Sequence, residues 1–387
     1  MKLLRVEYQN INLFKEGMIV DFTASDKVVD SSQVTVISNS IKLQKVLSFA
    51  GINATGKTTA LRLIDYAINL LSDNNYLAHV KMKYGILQDN SKIIIDFLLN
   101  EEIYRLESII GIKENTIEDG LNPLKMYFYK EEKIYRKNIK SVTLKKDIFD
   151  WKNKPLYQRS SLDKKNLEML KSNQSIIVLV TKEDNVKHFS FIDSANGNYF
   201  FFEQEINKNF YNLFDNSIDR IKFIEDKNVE IKYKNSDNIC HANNLTDEYH
   251  FLSSGTIRGP LIMHVLSLIL QIGGCLIIDE IEIHLNKTLV EVILDLFKDE
   301  KTNPNGAVII FSTHYLEILD TMDRKDNIYV TRKDKNFNLS VTKFSDKIKR
   351  NDIKKSEVLL SNYFENTAPK YEVIERIKED LLKKKVR

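Results

Sequence analysis

Glycine and proline are scarce in this chain, at 12 and 5 of 387 residues. A sequence so poor in both cannot be a flexible linker or a collagen-like rod, and its few glycines are expected where the backbone requires them. Cysteine is rarer still: Cys240 and Cys275 are the only two, too few for a disulfide framework and without zinc spacing. No excess charge of either sign marks the chain, since 57 Lys and Arg stand against 54 Asp and Glu for a net of +3, which excludes a simple nucleic-acid coat. The start, MKLLRVEYQN, carries no signal-type apolar stretch, and no run approaches the roughly 18 to 20 apolar residues that span a bilayer. The expected setting is reducing and cytoplasmic, without membrane contact. With 43% hydrophobic and 29% charged residues, the chain has enough apolar content for a sizeable core, which excludes a disordered tail.

The fold class expected is α/β. Short β-type runs open the chain at Leu3 to Tyr8, Met18 to Phe22, Val34 to Ile37 and Val46 to Ala50. From Lys57 to Leu71, Ala60, Leu61, Ile64, Ala67, Ile68 and Leu71 recur at helical spacing, so a strand, a loop and a helix follow one another. Lys92 to Leu99 and Ile103 to Ile110 form an expected hairpin on an antiparallel edge. Residues 124 to 171 hold 14 Lys or Arg against 6 Asp or Glu, a local net of +8, with Tyr127, Phe128, Tyr129, Tyr135, Phe149, Trp151 and Tyr157 interleaved and Pro123 at the boundary. This segment reads as an inserted lobe, helical or mixed. The run Ser175 to Val180 fits a strand or a buried helix equally. A second hairpin is expected at Ile221 to Ile224 and Val229 to Tyr233, then an apolar helix from Pro260 to Ile272. Cys275 to Ile278 and Ala307 to Phe311 are apolar enough for central parallel strands, with a helix from Lys287 to Phe297 between them. Tyr371 to Val386 reads as an amphipathic helix with a basic end. The boundaries expected are 1–123 for a first lobe, 124–215 for the basic insertion, 216–345 for a second lobe and 346–387 for a helical extension.

Gly51-Ile-Asn53-Ala54-Thr55-Gly56-Lys57-Thr58 matches the phosphate-binding loop pattern between an apolar strand and a helix. Glycines let successive N–H groups face an anion at a helix N-terminus, Lys57 offers a compact positive charge, and the Thr58 hydroxyl is a ligand for Mg²⁺. Cys275-Leu-Ile-Ile-Asp279-Glu280 is an apolar strand ending in two carboxylates, at the edge where open α/β sheets bind ligands. Asp279 suits the shell of a metal and Glu280 the activation of water. Phe311-Ser312-Thr313-His314 repeats the layout with an imidazole at the end. Leu252-Ser253-Ser254-Gly255-Thr256, ahead of Arg258-Gly259-Pro260, is by itself a helix cap.

In the company of those motifs, LSSGT resembles the signature loop of ABC-type ATPases. The order of the phosphate loop at 51, LSSGT at 252, DE at 279 and STH at 314 resembles the chromosome-maintenance, RecF-like and OLD-like branch. The last third, with Glu280-Ile-Glu282-Ile-His284-Leu285, Thr313 to Asp320, Arg324 to Tyr329 and Thr367-Ala-Pro369, is similar to the stand-alone AAA-family ATPases of bacterial abortive-infection and anti-phage systems. The resemblance implies a P-loop fold of ABC type, with a mostly parallel central sheet and an antiparallel β subdomain. It implies ATP and Mg²⁺ as cofactors, held by Asn53, Ala54, Thr55, Gly56, Lys57, Thr58 and Thr59, with Thr58 and Asp279 at the metal. Glu280 takes the water, His314 the switch position, and Ser253 and Gly255 the γ-phosphate of a second subunit. Ser254 stands where transporters place glycine and Thr256 where they place glutamine, and the stretch after Glu280 lacks the usual D-loop sequence. Gln88 is the candidate for the Q-loop. About 195 residues without heptads separate phosphate loop and signature, which excludes long coiled-coil arms. No acidic cluster resembling a fused nuclease follows His314.

The function expected from this resemblance is ATP hydrolysis by a homodimer, or a higher homo-oligomer, that senses, holds or releases a separate effector, a nuclease or toxin, in anti-phage defence. The alternative is a RecF-like, DNA-binding repair ATPase that contacts nucleic acid through Lys145, Lys146, Lys164 and Lys165. A transporter's nucleotide-binding subunit is disfavoured by the long insertion and the signature variant.

Overall fold

The computed structural model describes residues 1–72, 77, 86–115, 124–163, 169–181, 186–192, 206–223, 229–242, 252–283, 285–350, 352–365, 367 and 371–384. In chain order the first strands are β1 (Lys2–Ile11), β2 (Met18–Asp21), the short pair β3 (Val34–Val36) and β4 (Lys42–Gln44), and β5 (Val46–Ala50), which leads into helix α1 (Lys57–Leu70). Three long strands follow, β6 (Leu87–Leu99), β7 (Glu102–Asn115) and β8 (Leu124–Asn138), with the short β9 (Tyr157–Gln158). The second half carries β10 (His188–Phe191), α2 (Lys208–Phe214), the ribbon of β11 (Ile218–Phe223), β12 (Val229–Tyr233) and β13 (Ile239–Ala242), and α3 (Ser254–Ile272). Then come β14 (Cys275–Ile278), α4 (Lys287–Lys298), β15 (Val308–Thr313), β16 (Ile328–Lys333), β17 (Leu339–Lys343) and helices α5 (Phe344–Lys347), α6 (Lys355–Leu360) and α7 (Tyr371–Lys384).

Two six-stranded sheets organise these elements. One has the order β2-β1-β6-β7-β8-β9 and is antiparallel throughout. The other has the order β10-β14-β15-β5-β16-β17 and is parallel except where β17 returns beside β16. Strand periodicity explains why the parallel sheet reads as nearly continuous apolar sequence. Leu47, Phe49, Cys275, Ile277 and Ile310 face one core, shared with α1 and the antiparallel sheet, while Val46, Ala50, Leu276, Ile278, Ile309 and Phe311 face the other, shared with α3 and α4. The stripe on α1 is buried accordingly at Ala60, Leu61, Ile64, Ala67 and Ile68.

Several expectations need correction. Residues 124–163 are not a separate helical lobe: β8 pairs with β7 from Glu102↔Asn138 to Asn115↔Leu124 and extends the antiparallel sheet, and no α-helix occurs in that stretch. Its interleaved aromatics are mostly packing: Tyr129 is buried, Arg5 stacks on Phe149 at 3.5 Å, and Lys137 lies 4.2 Å from the centroid of Trp151. The buried Glu132 carboxylate binds Arg159 at 2.7 Å and accepts from Ser108, Ser175 and the Ile176 amide, pinning the sheet to the capped 3-10 turn Ile176–Leu179. That turn resolves the ambiguous apolar run as neither strand nor α-helix. The apolar helix α3 begins at Ser254, six residues before Pro260, and among the described residues Gly255–Ile272 is one stretch long and apolar enough to cross a membrane. Most of that stretch is buried within the protein. Pro123, Ile224, His284, Pro369 and Val386, named above, lie outside the described residues.

Candidate functional site

Register brings the motifs to one edge. Ala50 pairs with Thr313 and Ile278 with Phe311, so the chain leaves β5, β14 and β15 on the same side, with Gly51, Asp279 and His314 each following a strand end. This is the carboxyl edge of the parallel strands.

The loop between β5 and α1 is built for close approach. Gly56 caps α1 at φ 94°, and a Cβ there would lie 2.5 Å from Leu339 Cδ1. A Cβ on Gly51 would lie 2.6 Å from the Thr331 carbonyl oxygen, a backbone atom that cannot step aside. Ala54 also takes a left-handed conformation, at φ 60°. Thr55 donates to Ile52 O at 2.7 Å and its hydroxyl meets that of Thr331 at 2.8 Å. The loop runs straight into the first turn of α1, whose leading backbone N–H groups have no carbonyl within the helix to bind. A helix N-terminus entered through such a loop fits an anion such as a polyphosphate.

Lys57 is 5% exposed, and its ammonium donates to Gly51 O (2.9 Å), Ile52 O (3.2 Å) and His314 Nδ1 (3.2 Å). Burial pulls its pKa from 10.5 to about 8, against the opposing charges of Glu280, Asp279 and Glu282. A charged ammonium only donates, so Nδ1 of His314 accepts and Nε2 carries the proton toward Glu280 Oε1, 3.1 Å away. Thr58 Oγ1 donates to Asp279 Oδ2 at 2.7 Å. Ser312 Oγ donates to Asp279 Oδ1 and accepts from the Glu280 amide at 2.8 Å. Glu280 itself sits at φ 50°, a left-handed conformation costing a non-glycine residue about 1–2 kcal/mol.

Thr58 and Asp279 are therefore placed to hold a hard divalent cation. One hydroxyl beside one carboxylate is a sparse oxygen donor set of the kind Mg²⁺ takes when it keeps several waters and uses substrate oxygens.

The structure thus gathers Lys57, Thr58, Asp279, Glu280 and His314 in one cluster beside the Asn53–Thr59 amides. Among the described residues no hydrogen bond joins Ser253 or Gly255 to it: Ser253 is exposed and accepts from the Thr256 amide at 3.1 Å as the cap of α3. Gln88 lies on the antiparallel β6, bonded to Asn10 at 2.6 Å. Lys145 donates to the carbonyls of Ser25 and Asp26 at 3.1 and 3.2 Å, Lys146 is exposed, and Lys164 and Lys165 lie outside the described residues. Sequence reasoning missed the parts played by Ser312, Thr331 and Glu282, whose carboxylate accepts the His314 amide. Ser312 and Glu282 stood within the quoted motifs, but only the fold shows what they touch. Arg324 and Asp326 turn out to be scaffold, a bidentate pair that also binds the Asp26 amide.

A family model matches residues 46–320, described as an AAA domain of the AbiEii-toxin-like, type IV toxin–antitoxin kind. No curated protein matches the sequence.

Proposed function

The chain belongs to that AAA-domain family of P-loop ATPases, and from this premise we propose that it binds ATP with Mg²⁺, hydrolyses it, and uses the nucleotide state to hold or release a separate effector protein. The observation that carries the reading is the convergence of Lys57, Thr58, Asp279, Glu280 and His314 on one edge, each within hydrogen-bond reach of another member. The Asn53–Thr59 amides and Lys57 bind the phosphates. Lys57 then exchanges the Gly51 and Ile52 carbonyls for phosphate oxygens, which releases His314 Nδ1. Thr58 and Asp279 would hold Mg²⁺, which when bound would supply neutralising charge to the phosphate oxygens. Glu280 accepts a proton from the attacking water, a general-base role worth roughly 10²–10⁴ in rate. His314, bonded to Glu280 through Nε2, keeps that carboxylate oriented.

Assembly is the finer part of the proposal. Ser253 and Gly255, at the start of α3, are assigned to contact with nucleotide on a second copy, as the ABC-type resemblance implies. An ATP-linked homodimer follows, of the kind the ABC-type resemblance implies. The anti-phage setting and a nuclease or toxin as effector extend the family's toxin–antitoxin description to this chain. Phosphate release with ATP by the wild type, and its loss together with nucleotide binding in Lys57→Ala, is the result expected. Unchanged nucleotide binding in Lys57→Ala would remove the assignment of the phosphate loop.

A further inference from the structure

The geometry points to Glu282 as a positioning residue for His314, an inference that rests on the reading of Glu280 and His314 as the pair handling water. The ladder between β14 and β15 ends at Phe311, and Thr313 is the last residue that β5 holds, so His314 is the first residue beyond both ladders. Its imidazole must nevertheless span Lys57 and Glu280 at 3.2 and 3.1 Å. The missing rung comes from a side chain. Ile281–Ile283 forms a single 3-10 turn after the strand, anchored by the buried Ile281, and Glu282 Oε1 accepts the backbone N–H of His314. Together with Ser312, bonded to Asp279 and the Glu280 amide, this makes two side-chain rungs tying the end of β15 to the end of β14.

A second observation separates this role from plain stabilisation. Among the described residues Glu282 Oε2 is shut away from water without a hydrogen-bond partner, a costly arrangement for a residue whose only task is to hold two strands together. Its charge also acts on Lys57, the residue His314 must release when phosphate arrives. Glu282 thus fixes the backbone from which the imidazole is aimed.

The test compares wild type, Glu282→Ala and Glu282→Gln, since the glutamine carbonyl oxygen keeps the acceptor while removing the charge. Deuterium exchange of the His314 amide, measured in the full chain without nucleotide, should be at least ~10-fold faster in Glu282→Ala and near wild type in Glu282→Gln. With ATP, Glu282→Ala should lower kcat by about tenfold or more with KM changed by less than about threefold, and Glu282→Gln should restore it. Unchanged exchange in Glu282→Ala, or faster exchange with unchanged kcat, overturns the proposal, as does a Gln variant as impaired as Ala. If the wild type releases no phosphate from ATP, the hydrolysis reading fails, and the exchange arm still decides whether Glu282 holds His314.

Discussion

Lys57 ties nucleotide affinity to pH in a way that can be worked out from the site. In the free protein its ammonium titrates near 8, because burial outweighs the three surrounding carboxylates. A bound triphosphate places new negative charge beside Nζ and favours the charged form. Binding therefore takes up a proton above pH 8. Affinity should be flat below that point and should fall toward tenfold per pH unit above it, so roughly tenfold or more is lost between pH 7.5 and 9.5. The assay is a fluorescent-nucleotide titration at constant ionic strength across that range. Lys57→Arg, whose charge does not titrate there, should bind more weakly with a flat profile. A wild-type profile that stays flat to pH 9.5 would refute the assignment of a buried, phosphate-facing ammonium. The same shift acts on stability with a definite sign. The unfolded chain keeps this proton to about 10.5 and the folded chain gives it up near 8, so folding is disfavoured by about 3 kcal/mol below pH 8, a penalty that fades as pH rises toward 10.5. Lys57→Met should accordingly be more stable than wild type at pH 7, with the gain vanishing at high pH in urea titrations.

Other consequences are equally direct. Gly56→Ala combines left-handed strain of about 1–2 kcal/mol with overpacking against Leu339, and urea denaturation should show a loss of about 2–4 kcal/mol. Arg159→Ala leaves the Glu132 carboxylate buried without its cation and should cost about 3–5 kcal/mol, read from the same titration. Ser253→Ala removes the cap of α3 at a cost of about 1 kcal/mol. A fall in phosphate release beyond that loss of stability is expected if Ser253 meets nucleotide on a second copy, and a change confined to Tm would restrict it to capping.

What the sequence made legible was local. The phosphate loop, the two acids and the histidine each follow an apolar strand, and a parallel sheet buried on both faces turns such strands into plain apolar runs. What stayed hidden depended on distant partners. The β8 strand escaped notice because its alternation breaks: the register skips Lys130 between Tyr129 and Glu131, moving the inward face from Tyr129 to Glu132 and Ile134. One of those inward positions is a glutamate, and only its partners at distant positions, Arg159 across 27 residues with Ser108, Ser175 and the Ile176 amide, make it a core residue. Pro260 concealed the start of α3, since a proline six residues into the helix reads as a beginning. Ser312 and Glu282 stood inside quoted motifs, yet their partners are 30 or more residues away, and no spacing rule exposes such bonds.

The claim that this cluster is an ATP-hydrolysing site with Glu280 as the base is tested most directly by one substitution. Glu280→Gln preserves the side-chain shape and a hydrogen-bond acceptor for His314 Nε2, while removing the basic oxygen. Phosphate release should fall at least ~tenfold with ATP binding retained, so that the variant accumulates in the ATP-bound state. Wild-type turnover by Glu280→Gln would contradict the account.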